Sequence, residues 1–289
     1  MLINRGMDLT DFSGATDAEI GAFRDSYRTT HGRSLAAYDF WLEFDPTVVK
    51  THRLQAHHTG GELGRRYHLA GTLGFLHLYV VMAYEEGIRY EVHHSRSAGA
   101  TRREVLQVLE IAFAHSGPRG IDAAAEVVAD VLRAWPDGPP SLANRFPSDW
   151  LPQPDFFALD FDLETDELSA EELRRYDDWR HRTLASYVPN SASWMSLRPG
   201  LLKSMHARIA RAMTGPLPAQ ILPFMQLQMH TALGDRRGIQ ESIGLGLALS
   251  MTSDQLAESI AWGALYSGPS GAGNAYEILD ELTFGPSTA

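Results

Sequence analysis

The sequence predicts an all-α protein built from two related helical bundles, and three observations lead there. Apolar residues recur at helical spacing, as at positions 105, 106, 108, 109, 111 and 112 of "TRREVLQVLEIAFAH", and no run shows the alternation of a strand. Helix starts are marked where such stripes begin: Thr101 with Glu104 and Thr252 with Gln255 form capping-box patterns, and Ser169 with Glu172 offers another start. The chain also repeats itself over more than a hundred residues.

The repeat sets the organisation. "ATRREVLQVLEIAFAHSGPRGIDAAAEVV" begins at Ala100 and "MTSDQLAESIAWGALYSGPSGAGNAYEIL" at Met251, an offset of 151. At that offset Ser116-Gly117-Pro118 meets Ser267-Gly268-Pro269, Gly120 meets Gly271, Ala124 meets Ala275 and Glu126 meets Glu277. Upstream, Trp41, Pro46 and Lys50 have the spacing of Trp194, Pro199 and Lys203 at an offset of 153, so a small indel separates the blocks. The expected units are residues 1–135 and 169–289, joined by a linker over 136–168. That linker opens with six of the fifteen prolines, at 136, 139, 140, 147, 152 and 154, which should keep it out of helix and on the surface. An acidic run at Asp160, Asp162, Glu164, Asp166 and Glu167 follows and reads as a solvated loop.

Composition narrows the function classes. With 44% hydrophobic and 21% charged residues the chain is an ordinary globular one, and its net charge of −11 disfavours nucleic acid as a partner. There is no cysteine, which removes disulfides, thiolate metal sites and thiol redox chemistry. The N-terminus has no signal-peptide core. The longest apolar stretch, "LAGTLGFLHLYVVMAY" at 69–84, is short for a membrane span and contains His77, so a buried helix, no membrane partner and a cytoplasmic location are expected.

The chemistry-bearing segment is "GIRYEVHHSRSAGAT", residues 87–101. Read as a helix over 84–98, it places Glu91 and His94 on one face with Tyr84, Gly87, Tyr90 and Ala98, and Arg89, His93 and Arg96 on the other. The plain alternative for Glu91 and His94 is a solvated i,i+3 pair. For His93 it is an exposed imidazole, for His77 a satisfied core histidine, and for His115 a semi-buried tip at a helix end, replaced by Tyr266 in the second unit. His57 and His58 read as an exposed helix end. A carboxylate-bridged di-iron site needs two Glu-x-x-His motifs, and only one occurs here, so no metal is expected.

A helix followed by Gly99-Ala100-Thr101, Glu104-Val105, an apolar helix, Ser116-Gly117 and an alanine-rich helix resembles the carboxymuconolactone decarboxylase and alkylhydroperoxidase-D superfamily, here in tandem. The likeness is carried by about thirty residues in each unit and is weaker in the second. It implies a helical-bundle fold that associates as a homo-oligomer. The peroxidase branch of that superfamily carries Cys-x-x-Cys-x-x-x-His before the turn. Aligning the turn without a gap puts Glu91 at the histidine and Tyr84 and Gly87 at the cysteines; aligning on His94 puts Gly87 and Tyr90 there. Either way both cysteines are absent, so peroxidase chemistry does not carry over. The decarboxylase branch is similar in placing Glu and His on this helix, and the preceding helix also feeds the superfamily's active site.

The resemblance thus implies a cofactor-independent lyase, a decarboxylase or related isomerase, acting on a small carboxylated or enolisable compound. His94 and Glu91 are the expected catalytic pair, and His77, Tyr90, Tyr84 and His93 the expected substrate-binding residues, with no metal or other cofactor. In the second unit Glu91 falls on Ser242, His93 on Gly244 and His94 on Leu245, so that unit is expected to be structural. The alternative is a non-catalytic, ligand-binding or interaction member of the superfamily with an eroded site.

Overall fold

The apolar stripes fold as helices throughout the residues that the computed structural model describes, 4–59, 64–135, 145–183 and 195–285, with no strand among them. The first half of the chain contains α1 (Asp17–His31), α2 (Ala36–Phe44), α3 (Pro46–Thr59), α4 (His68–Val81), α5 (Glu85–Ser97), α6 (Arg102–Ser116) and α7 (Pro118–Arg133). The second contains α8 (Ala170–Thr183), α9 (Pro199–Ala212), α10 (Ile221–Leu233), α11 (Arg236–Ala248), α12 (Ser253–Ser267) and α13 (Pro269–Phe284). None of the described helices is long and apolar enough to cross a membrane.

The expected caps form. In both α6 and α12 the threonine hydroxyl accepts the backbone N–H three residues on, and the Glu104 or Gln255 side chain accepts the threonine N–H. Each helix stops at a glycine in the positive-φ region, Gly117 (φ 65°) and Gly268 (φ 74°), and a proline opens the next helix. Helix lengths agree between the halves: α6 and α12 have 15 residues each, α7 and α13 have 16, and α3 and α9 have 14.

The core is centred on α4 and α10, which pack against each other and are buried on nearly every side. Their approach needs small residues. A Cβ at Gly74 would overlap the Gln228 amide of α10, and one at Gly71 would overlap the Trp262 ring of α12, which packs on the same helix pair. In return Gln228 donates from Nε2 to the Gly71 carbonyl at 3.1 Å, satisfying a polar group deep in the interior.

A buried ion pair recurs in each half. Lys50 on α3 meets Glu19 on α1 at 3.0 Å, and Lys203 on α9 meets Glu172 on α8 at 2.9 Å, with both lysine side chains only 1% exposed. Each lysine also donates to a carbonyl of the segment before the first helix, Asp11 at 2.9 Å or Asp162 at 2.8 Å. Each glutamate also accepts a backbone N–H from that region, Asp8 or Asp162, both at 2.8 Å, while capping its own helix through Thr16 or Ser169. The two glutamates are held at about 2, below the ordinary carboxylate value: for Glu19 the hydrogen bonds dominate, and for Glu172 burial pushes upward but the Lys203 and backbone hydrogen bonds outweigh it.

The segment before α8 departs from expectation. Pro136, Pro139 and Pro140 lie outside the described residues. Beyond them, Trp150 is buried between Tyr67 and Phe224, at ring-centroid distances of 5.7 and 5.6 Å, and Phe157 is also buried. Proline does keep this stretch out of α-helix, but large aromatic side chains at 150 and 157 pull it into the core. The acidic residues from 160 to 167 are exposed, as expected.

Removing one member of a buried pair strands the other charge. Lys203→Ala and Lys50→Ala are each expected to lower unfolding free energy by about 3–5 kcal/mol. Urea titration checks this, and a loss below about 1 kcal/mol, typical of an exposed pair, would sink it.

Candidate active site

Helix α5 is set by its ends. Glu85 and Glu86 sit in its first turn, where they complement the helix dipole, and a left-handed residue, Ala83 (φ 54°), separates it from α4. One face, Ile88, Val92 and Ser95, is buried in the core. The face carrying Gly87, Glu91 and His94 is buried as well, with Glu91 Oε2 3.1 Å from His94 Nδ1. The pair is therefore interior, not a solvated helix pair.

Helix α1 packs on α5 and buries Phe23, Tyr27 and His31, one side chain every fourth residue. The His31 ring stacks on Tyr90 at 3.9 Å and Tyr27 at 4.8 Å, and stands 4.0 Å from His94. Its Nδ1 lies 2.5 Å from the Thr30 hydroxyl, which also accepts from Arg5 Nη1 at 2.9 Å and lies 2.9 Å from the Ser26 carbonyl.

These groups line a cavity of about 470 Å³. Helix α4 contributes His68, Phe75 and Tyr79, α3 contributes His52, Arg53 and Ala56, and Leu35 and Tyr38 lie at the start of α2. The far wall is supplied by the second half of the chain: Trp262, Leu265 and Tyr266 of α12. Two guanidiniums enter. Arg53 donates to the Tyr27 hydroxyl at 3.2 Å, and Arg5 lies 4.1 Å over the Tyr27 ring. Arg5 is 3% exposed, has no carboxylate partner among the described residues, and leaves Nε without a hydrogen bond.

Burial governs the charge states. It pushes Glu91 well above the ordinary carboxylate value, with Arg5 pulling weakly the other way. It lowers His94 to about 3, aided by Arg5 and Arg53, and His68 to about 3, aided by His94 and Arg5. His31 also falls far below the ordinary imidazole value, first by burial and then through His94. The Glu91–His94 contact has ion-pair geometry, but both members are pushed toward neutrality, so it is a hydrogen bond between neutral groups sharing one proton. Tyr27 differs from the other cavity tyrosines: burial raises it, but Arg53 and Arg5 outweigh that and bring it below its ordinary value, whereas burial holds Tyr38 and Tyr90 well above theirs.

Of the expected site residues, Glu91, His94 and Tyr90 line the cavity. His77, Tyr84 and His93 do not. Phe75 faces the cavity, and His77, two residues on and about 200° around the helix, faces the opposite way. Its Nε2 is 2.8 Å from His115 Nδ1, and His115 in turn reaches Gln226 at 3.1 Å. His115 is thus part of a polar chain facing the second half of the chain. Tyr84 precedes the first turn of α5 and is 44% exposed, with its ring against Tyr79. His93 is half-buried on the outer side, where its ring covers Gly32. The reading of the sequence missed Arg5, Tyr27, His31, Arg53 and His68. For Tyr27 and His31 a signal existed, since Phe23, Tyr27 and His31 form a four-residue stripe on α1; for Arg5 there was none.

No family model matches the sequence, and no curated protein does. A solved structure does match in shape: a candidate gamma-carboxymuconolactone decarboxylase subunit from Burkholderia xenovorans LB400. The match has a TM-score of 0.52 over 91% of this chain and 97% of the other, at 18% sequence identity. The helical fold is shared. At that identity the likeness concerns fold alone, and the fold is the one that the Gly-Ala-Thr and Ser-Gly blocks led us to expect.

The buried histidines give stability a pH dependence. His94, His68 and His115 are lowered to about 3, and His52 and His206 to about 4, from an ordinary 6.5, in each case first by burial. Below pH 6.5 the unfolded chain takes up protons that the folded chain refuses, so stability falls as pH drops from about 6.5 toward 4. Glu91 acts with the opposite sign, its burial costing less as it protonates. His94→Gln should flatten the slope between pH 6 and 4 by up to one proton, about 1.4 kcal/mol per pH unit. Urea titrations of both proteins across that range check it, and an unchanged slope would mean that His94 is charged in the folded protein.

Proposed function

We propose that this chain is a carboxymuconolactone decarboxylase-like lyase, a decarboxylase or related isomerase, acting on a small carboxylated or enolisable compound through Glu91 and His94. We further propose that it is a tandem pair, with residues 1–135 carrying the site, 136–168 linking, and 169–289 serving as a built-in partner that completes the wall. The observation that carries the reading is the buried Glu91–His94 hydrogen bond at the edge of the cavity, beside a buried arginine with no acidic partner among the described residues.

Arg5 argues for an anionic substrate. A buried guanidinium without a counter-charge is costly, and a bound carboxylate relieves that cost. Aromatic walls at Tyr90, Tyr79, Phe75 and Trp262 suit a flat, conjugated body. In the decarboxylation, the bond to the carboxylate carbon breaks, carbon dioxide leaves, and the electron pair stays on carbon as an enolate. His94 Nε2, which has no hydrogen-bond partner among the described residues, delivers a proton to that carbon while Nδ1 takes the proton held by Glu91. Solvent then reprotonates Nε2, and the Nδ1 proton returns to Glu91 across the 3.1 Å contact. The isomerase variant uses the same relay to return a proton to a different carbon. The likeness to the Burkholderia xenovorans protein supports the reading at the level of fold, and Ser242 and Leu245, both buried in the second half, support a single working pair.

The test is a panel of small β-keto and unsaturated carboxylates, followed by carbon dioxide release and by NMR for deuterium incorporation from D2O. The protein should turn over at least one member. Glu91→Gln and His94→Gln should lower the rate by about 100-fold or more, and Ser242→Ala should leave it unchanged. Binding of such carboxylates with neither release nor exchange would replace this reading with that of a ligand-binding protein.

A further inference from the structure

We propose that His31, Glu91 and His94 together form a binding site for one borderline divalent metal ion, Zn(II) or Co(II), and that its occupation is mutually exclusive with proton transfer by Glu91 and His94. One ring nitrogen from each histidine and one Glu91 oxygen lie within 4.8 Å of one another, and all three residues are buried. Ligand atoms around a single zinc at about 2.0–2.2 Å stand roughly 3–4 Å apart, so a pair at that limit closes by roughly 1–2 Å, within the reach of side-chain rotation.

Two further observations point to a ligand. The Thr30 hydroxyl, 2.5 Å from His31 Nδ1, anchors that ring and leaves Nε2 as its other ligand atom, as outer-shell partners do in metal centres. His94 Nε2 is a buried polar atom with no hydrogen-bond partner among the described residues. Two imidazoles and a carboxylate suit zinc, cobalt or iron far better than magnesium or calcium, which favour all-oxygen sites. Arg5 and Arg53 oppose a bare dication. Glu91 supplies one compensating negative charge, and the cavity side leaves room for an anionic further ligand, a hydroxide or a carboxylate. The pair of guanidiniums therefore selects a metal that arrives with, or acquires, an anion.

The existence of this site does not depend on the lyase reading; its effect on turnover does. With a metal bound, Glu91 and His94 are ligands and can no longer relay a proton, so zinc inhibits the reaction proposed above.

The experiment titrates Co(II) into the full-length, metal-stripped protein. It reads the visible d–d absorption of cobalt, the stoichiometry by calorimetry, and the thermal midpoint. One ion per chain is expected, with intense low-coordinate bands and a raised midpoint, all displaced by Zn(II). Glu91→Gln and His94→Gln should lose the bands, while a His57→Ala/His58→Ala double variant, altered at the exposed histidine pair, should keep them. If the site variants fail to fold, wild-type spectra decide: absence of low-coordinate bands overturns the proposal. So does binding that survives both site variants or disappears with His57 and His58. A metal-free protein that binds cobalt as described yet turns over none of the carboxylates leaves the metal site standing and removes the lyase reading.

Discussion

The buried Lys50–Glu19 pair is the contact on which the cavity depends. Glu19 lies two turns before Tyr27 and three before His31 on α1, and Lys50 lies one turn before Arg53 on α3. Fixing the two helices at this point places Tyr27 against Arg53 and His31 against Tyr90 and His94. A desolvated lysine is stable there only because its donors are used: the Glu19 carboxylate takes one and the Asp11 carbonyl another. The same pair ties down the segment before α1, which delivers Arg5 to the cavity. One interaction thus links the N-terminal residues, α1 and α3.

The second half of the chain uses the same device with a different filling. Lys203 and Glu172 repeat the contact, but where Arg53 stands in the first half, His206 stands at the 153-residue offset. His206 bonds the Phe157 carbonyl at 2.9 Å and is surrounded by Trp179, Tyr176 and Phe161 at 5.1 to 6.1 Å. Aromatic rings fill this space. On α11, Ser242 turns its hydroxyl back to the Gly238 carbonyl and Leu245 is buried, so the Glu91–His94 pair has no counterpart at these two positions. What α12 gives instead is a wall: Trp262, Leu265 and Tyr266 close the cavity of the first half.

Inside that cavity, low polarity and fixed donors work against each other. Burial favours neutral Glu91 and neutral histidines, while two guanidiniums stay charged because arginine does not give up its proton. The outcome is a pocket with net positive character and a shared proton at the Glu91–His94 contact. Such an interior is poorly stabilised by its own contacts, and this is the physical basis of the anionic substrate proposed above.

Local information in the sequence determined the helices and the turns: capping threonines, Gly117 and Gly268 as stops, and prolines as starts are properties of a few adjacent residues. The offsets of 151 and 153 between blocks, and the face of α5 carrying Glu91 and His94, were equally legible because helical periodicity needs only one segment. Tertiary structure decided the rest. His77 lies on a helix buried on nearly all sides, so no hydrophobic stripe indicates which neighbour it meets; packing turned it toward His115 and not the cavity. Tyr84 falls outside α5 because a left-handed residue at Ala83 delays the helix start, and His93 was left on the outer side to cover Gly32. Arg5, His31 and Arg53 come from segments dozens of residues away from α5, and nothing local records that they meet. Periodicity fixes which way a side chain leaves its own helix. Only the packing of α1 and α3 over α5, with α12 closing the far side, decides what it meets.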